Sequence, residues 1–349
     1  MVGCVVVDRS GAVAGRGCHA RCGEAHAEVN ALAAAGDRAR GGTAYVTLEP
    51  CSHHGRTPPC VDALVAAGVA RVVFATKDPN DVAAGGAERL AAAGIVVEHL
   101  EIDEARILNE PFLHRLRTGL PWVCTKWAMT LDGRITTGDG GPRWITSEES
   151  RRAVHRERGC VDVMFTGIGT VIADDPDLRP RGVRAKRIPR RIVVDTRLEL
   201  PLESALVRTV SKAPVEVLAF EPSIAAKAVH AKALRARGVR IDVAPQDQAG
   251  RLLLRPVMER LAREGVANVL VEAGGGINGE LLNESLINEV WAFHAGLVVG
   301  DGRGIGPVRG LAMDGRHLPE GRVIAIQRHG LDVAMRWRLG PLSIGDSRR

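Results

Sequence analysis

Short β-branched and apolar runs alternate with alanine-rich stretches through the first third of the chain. Runs at residues 2–7, 44–48 and 72–75 predict strands, and the stretches at 25–35, 61–67 and 83–93 predict helices. Alternation of this kind predicts an α/β layer with a largely parallel sheet. Gly36, Gly68 and Gly94 follow the three helical stretches, where a helix-ending glycine is favoured. Between Pro111 and Pro121 the pattern breaks into a basic stretch bounded by prolines, and the domain boundary is placed there, giving domains at 1–115 and 121–349. A second α/β series follows, with strands predicted at 122–127, 161–166, 191–194, 215–219, 239–243 and 266–272 and helices between several of them. Residues 179–189, basic and rich in Gly and Pro, predict an exposed loop.

A chain of 349 residues suits two domains of about 100–200 residues each. Apolar residues make up 45% and charged residues 25%, which gives ordinary globular cores and excludes long disorder. No apolar run reaches the roughly 18–20 residues of a membrane helix, and the segment Met1–Val7 has no basic start, so a cytoplasmic protein without membrane association is expected. Seven cysteines, an odd number in a chain without an export signal, favour reduced thiols and metal ligation over a disulfide framework. The net charge of +6 comes from 47 basic against 41 acidic residues with the signs mixed, and aromatics are only 3%. That composition is poor in stacking platforms for single-stranded nucleic acid, and a small phosphorylated substrate accounts for the same charge.

The candidate chemistry lies in the first domain. His26 and Glu28 open a predicted helix, Cys51 follows a predicted strand, and Cys60 lies beyond it. One imidazole and two thiolates are three ligands for zinc, and zinc sites with three protein ligands keep a position for water, whose pKa falls to about 7. Glu28, two residues after His26, is placed to move protons between that water and a leaving amine. His-x-Glu followed by Pro-Cys and a second Cys is the pattern of zinc deaminases, although the Cys-to-Cys spacing is longer here. The alternatives on residues alone are a structural zinc site completed by His53 or His54, a nucleic-acid or free-nucleoside deaminase, and a non-enzymatic zinc-binding module.

The stretch His26-Ala27-Glu28-Val29-Asn30, then Thr47-Leu48-Glu49-Pro50-Cys51-Ser52-His53-His54-Gly55-Arg56-Thr57-Pro58-Pro59-Cys60 and Asp78-Pro79-Asn80, closely resembles the bifunctional riboflavin-biosynthesis deaminase/reductase family. The resemblance implies a cytidine-deaminase-like three-layer domain, with Zn2+ on His26, Cys51 and Cys60 and Glu28 as the catalytic acid/base. It implies hydrolytic removal of the 2-amino group from a diaminopyrimidinone carrying ribosylamino 5′-phosphate.

From Trp122 onward the resemblance runs through Lys126 to Arg134, Trp144 to Ser147, Gly169 to Pro176 and Val271 to Gly276. It implies a dihydrofolate-reductase-like domain that uses NADPH to reduce the ribosyl group, and a homo-oligomer formed through that domain. The cofactor is expected at Ala128, Trp144, Thr170, Asp174, Thr196 and along Gly274, Gly275, Gly276, Ile277, Asn278, Gly279 and Glu280. The phosphorylated substrate is expected at Arg158, Leu178, Arg181 and Glu272, with Arg158 and Arg181 as phosphate clamps. Read without the family, the glycine-rich turn between strand and helix is a phosphate cradle or a flexible turn. Lys126 and Asp132 are left between structural and functional roles. The chain departs from the family at Pro142, Asn288 and Gly296-Leu297, and it lacks the helix and Asn-Pro pair that precede Met-Val-Gly-Cys in relatives, so a copy with one surviving activity is a further alternative.

Overall fold

The computed structural model describes residues 2–20, 23–55, 57–78, 85–137, 144–300, 304–311 and 320–340. It divides into two compact units between Gly119 and Leu120. The first carries β1 (Gly3–Val7), β2 (Val13–Cys18), α1 (Ala27–Ala35), β3 (Thr43–Val46), α2 (Cys60–Ala67), β4 (Arg71–Phe74), α3 (Gly86–Ala92), β5 (Val96–His99) and α4 (Asp103–Thr118). Its sheet runs β2-β1-β3-β4-β5.

The predicted parallel layer is present only in part, since β3, β4 and β5 are parallel but β1 is antiparallel to both β2 and β3. Glycines hid β2 from the hydrophobic pattern, and they serve packing. A β-carbon on Gly17 would sit 2.2 Å from the Ala27 carbonyl oxygen, and one on Gly15 would sit 2.2 Å from that of Ala31. Helix α1 therefore lies directly on the bare backbone of β2, and its start, where His26 and Glu28 stand, is set by that contact. Gly17→Ala is expected to push α1 away, cost about 1–3 kcal/mol and lower bound zinc; a thermal melt with metal analysis checks both.

The division between Gly119 and Leu120 falls inside the interval from Pro111 to Pro121, but no helix was expected across Pro111. Pro111 lies inside α4, which runs to Thr118 and closes on Gly119 at φ 70°. An interior proline costs a helix about 3 kcal/mol in isolation. Here buried Ala105, Asn109 and Leu113 anchor the helix, and Asn109 Nδ2 donates to the Thr47 carbonyl at 3.3 Å.

The second unit carries β6 (Trp122–Met129), α5 (Glu148–Arg158), β7 (Val163–Gly167), α6 (Ile168–Asp174), β8 (Arg190–Val194), α7 (Ala205–Arg208), β9 (Val215–Ala219), α8 (Glu221–Ala226), α9 (Ala228–Ala236) and β10 (Arg240–Val243). It continues with α10 (Arg255–Arg263), β11 (Asn268–Val271), α11 (Gly275–Asn283), β12 (Glu289–His294), β13 (Gly321–His329) and β14 (Asp332–Leu339). The sheet order is β10-β9-β8-β7-β11-β6-β12-β14-β13, parallel from β10 to β12 and antiparallel at β14 and β13. Successive strand residues enter opposite cores: Val163, Phe165, Ile192, Val194, Val269 and Val271 on one face, Met164, Val193 and Leu270 on the other. A parallel sheet covered on both faces reads as a continuous apolar run, which is why β7, β8, β9 and β11 were visible in the sequence. The parallel strands end at one edge, where open α/β sheets hold ligands. Residues 179–189 form no helix or strand and are largely exposed, with Pro189 buried. No described helix is long and apolar enough to cross a membrane.

Candidate functional site

In the first unit, His26 is the extended residue before α1, and Cys60 is the first residue of α2 after Pro59. Cys51 is drawn to the same helix start, because the Val61 N–H donates to its carbonyl and the Cys60 N–H to its sulfur, both at 3.3 Å. His26 Nδ1 lies 3.1 Å from Cys60 Sγ and 3.6 Å from Cys51 Sγ, and the three donor atoms all lie within 4.8 Å of one another. Neither His53 nor His54 belongs to this group among the described residues. A hydrogen bond from the Cys60 thiol, helped by His26, brings the Cys51 thiol down to about 4. The Cys60 thiol is pushed up by that bond and by burial, so the two thiols titrate as a pair.

Glu28 is only 3% exposed; burial raises its affinity for a proton, and the neighbouring Cys60 side chain works against that rise. Two supports of this cluster escaped the sequence reading. Thr57 Oγ1 lies 3.2 Å from His26 Nε2 and fixes the ring from behind, as partners of metal-bound histidines do. Glu49 is buried, and its carboxylate accepts the Ala87 N–H at 3.1 Å and the Asp78 N–H at 3.3 Å, tying the strand end before Cys51 to the start of α3.

In the second unit, Ala128, Thr170, Asp174, Thr196 and the start of α11 follow or end β6, β7, β8 and β11, so they share the carboxyl edge of the parallel sheet. The glycines of α11 divide by role. A β-carbon on Gly274 or Gly276 would meet nothing within 4 Å, which leaves an open cradle at the helix N-terminus. On Gly275 it would sit 2.9 Å from the Gly306 oxygen, and on Gly279 1.8 Å from the Arg309 oxygen, so those two glycines admit residues 306–309 rather than a ligand. Asn278 is buried with its side chain spent on Thr125 Oγ1 at 2.7 Å and the Pro307 carbonyl at 2.8 Å. The Asn278 side chain thus ties α11 to β6 and to the Pro307 backbone, and Gly279 gives room to the Arg309 backbone. Ile277 packs on Gly167, Glu280 is half-buried, and Trp144 is exposed with the Arg151 guanidinium 5.1 Å from its ring centre.

The predicted substrate residues are also redistributed. The Arg158 fork is bidentate on Glu272, with Nε to Oε1 at 2.6 Å and Nη2 to Oε2 at 2.8 Å, and both side chains are nearly buried. Its role as a phosphate clamp is thereby weakened, because the carboxylate already holds the fork. Leu178 is 1% exposed and belongs to the core, so only its backbone can face a substrate. Arg181 is exposed, and its N–H donates to His155 Nδ1 at 3.3 Å. Burial would raise the Glu272 carboxyl, but the Arg158 and Lys126 charges hold it at about 2. Burial lowers Lys126 against the pull of Glu272 and Asp174, which marks this lysine as part of the same charged cluster. The β6–β11 register, with Val271 opposite Thr125, is what sets Lys126 beside Glu272, and sequence spacing carries no sign of it.

Comparison with known proteins matches residues 121–328 to the RibD C-terminal domain and residues 1–76 to the cytidine and deoxycytidylate deaminase zinc-binding region. The riboflavin biosynthesis protein RibD of Escherichia coli is 41% identical over 315 residues, covering 89% of this chain and 85% of its own. The chain belongs to the RibD family. RibD of Aquifex aeolicus is 39% identical over 87% of this chain and 83% of its own. Among solved structures, Acinetobacter baumannii RibD superposes with a TM-score of 0.82 at 33% identity, covering 97% of this chain and 92% of that one. The Thermotoga maritima diaminohydroxyphosphoribosylaminopyrimidine deaminase/5-amino-6-(5-phosphoribosylamino)uracil reductase gives 0.81 at 29% identity, with the same coverage. RibD membership joins a cytidine-deaminase-like unit to a reductase unit.

Against that family two departures read differently. Asn288 Oδ1 accepts the Val123 N–H at 2.7 Å, an acceptor role that an aspartate fills equally well. Pro142 lies outside the described residues, as do Cys22, Arg56, Pro79 and Asn80.

Proposed function

We propose that the protein performs two steps of riboflavin biosynthesis, deaminating a diaminopyrimidinone ribosylamino 5′-phosphate in the first unit and reducing its ribosyl group with NADPH in the second. The observation that carries this reading is the cluster of His26, Cys51 and Cys60 with buried Glu28 beside it, in a chain of the RibD family.

Zinc bonds of roughly 2.0–2.3 Å in tetrahedral array set neighbouring donors about 3.5–3.8 Å apart. The 3.6 Å separation from His26 to Cys51 matches that spacing, the 3.1 Å separation to Cys60 is a closer hydrogen-bond contact, and these three donors would hold the ion. Zinc, when bound, polarises the attacking water. Glu28 takes a proton from that water and delivers one to the departing amine; its burial keeps bulk solvent from competing. Thr57 holds the His26 ring in the one orientation that presents Nδ1.

In the second unit, the open backbone at Gly274 and Gly276 fits the phosphates of a dinucleotide, and NADPH supplies the hydride. Lys126 and the Glu272–Arg158 pair orient the sugar, while Arg181, exposed beside them, meets the phosphate.

Purified protein given the diaminopyrimidinone substrate should release ammonia without NADPH and oxidise NADPH only after that release; NADPH oxidation without a ribityl product would overturn the second step. Cys51→Ala or Cys60→Ala should each remove stoichiometric zinc, whereas Cys4, Cys18, Cys124 and Cys160 should be replaceable with zinc retained. Retention of full zinc by either of the first two variants would exclude the three-donor site.

A further inference from the structure

Residues 175–181 link α6 to the exposed Arg181, and they are held more tightly than a surface connection requires. Asp175 and Leu178 both take left-handed backbone conformations, at φ 42° and 60°. A β-carbon disfavours this conformation, so it persists only where neighbours impose it. Asp177 stands between the two. Its carboxylate receives a bidentate fork from Arg179, at 2.7 Å on each oxygen, and the Nη1 of Arg191 at 3.2 Å.

Arg191 is fully buried in β8. It also donates to the Asp177 carbonyl at 3.0 Å, to Thr209 Oγ1 at 2.7 Å, to the Thr209 carbonyl at 3.0 Å and to the Ala213 carbonyl. A buried guanidinium needs a counter-charge, and Asp177 is the carboxylate the structure gives it. Asp175 adds a second anchor at the start of α7 through the Ala205 N–H, at 2.6 Å. Beyond Leu178, the His155 ring receives the Arg181 N–H.

We propose that Asp177, clamped by Arg191 from the core and Arg179 from outside, is a positioning residue that presets the Leu178 backbone and Arg181 for the phosphorylated substrate of the reductase. The inference rests on the reductase reading above and adds to it a residue that touches no substrate. Rigid backing of this kind matters because small displacements of a binding group are costly to turnover.

Asp177→Asn keeps the side-chain shape and removes the charge. The expected result is a KM for the phosphorylated substrate raised about 10-fold or more, with kcat lowered by less than about 3-fold. The KM for NADPH and the rate of ammonia release should stay at wild-type values. Amide exchange should quicken at residues 175–181 while β7, β8 and β9 keep their protection. If Asp177→Asn does not fold, Arg179→Gln removes one clamp and leaves the buried one, with an expected KM increase of about 3-fold. A folded Asp177→Asn protein with wild-type substrate KM and unchanged exchange at 175–181 overturns the proposal, as does an unchanged KM in Arg179→Gln when the first variant is unfolded. If the wild-type protein does not reduce the substrate at all, the reductase reading fails instead, and the exchange comparison still decides whether Asp177 holds the segment.

Discussion

Glu28→Gln protein is expected to keep its zinc and its NADPH-dependent activity while ammonia release falls by about two to four orders of magnitude, the usual worth of a positioned acid/base. The substitution removes the titrating oxygen and preserves the shape of a side chain that is 3% exposed, so the fold has little to lose. Metal analysis, an ammonia assay and NADPH oxidation on pre-deaminated substrate check the three parts separately. Ammonia release within a few-fold of wild type would remove Glu28 from the chemistry.

Glu272→Ala carries the largest expected cost to the fold. Arg158 and Glu272 are 12% and 13% exposed, and Lys126 leans on the same carboxylate. Removing the shared anion strands two cations in a poorly solvated place, at about 3–5 kcal/mol. Calorimetry should show the transition of the second unit lowered by roughly 10 °C with that of the first unit in place. The same pair sets an acid limit. The Glu272 carboxyl is held at about 2, below its ordinary value of 4.5, so its contribution is fully present above the ordinary value and is lost as pH falls from there towards 2. Wild-type protein should lose stability across that window more steeply than Glu272→Gln protein. Parallel acid titrations of the two would show it, and identical profiles would contradict the ion pair.

The parts of this protein legible in its sequence are those that short-range pattern specifies. The buried parallel strands β7, β8, β9 and β11 read as apolar runs because both their faces are covered, and His26, Glu28, Cys51 and Cys60 read as a unit because metal chemistry requires those residue types. What stayed hidden depends on partners far along the chain. Strand β2 was not read, because Gly15 and Gly17, which make room for α1, interrupt its apolar pattern. Helix α4 was not read, because Pro111 counts against a helix locally, while Leu113 and Asn109 hold it in place. Strands β5, β12, β13 and β14 were not read at all; β12 closes the parallel part of the sheet, and β14 and β13 extend it antiparallel. At the second site the same limit appears as unseen partners: the bidentate pair of Arg158 with Glu272, and the ties of Asn278 to Thr125 and Pro307, join residues far apart in the chain.

The position of β6 in its sheet has a consequence for synthesis on the ribosome. It is the first strand of its unit to be made, yet its neighbours in the sheet are β11 and β12. The bond from the Val123 N–H to Asn288 spans 165 residues, whereas His26 and Cys60 are separated by 34. At about 5–20 residues per second, the strand Trp122–Met129 waits roughly 8–33 s for Asn288 to be added. Until β11 is made both edges of this apolar segment are unpaired, and one stays so until β12 follows, the state in which nascent chains aggregate or are taken up by chaperones. The metal-binding unit has no such delay, so slow translation or low temperature should leave chains with a finished first half tethered to a second half still searching for its centre strand.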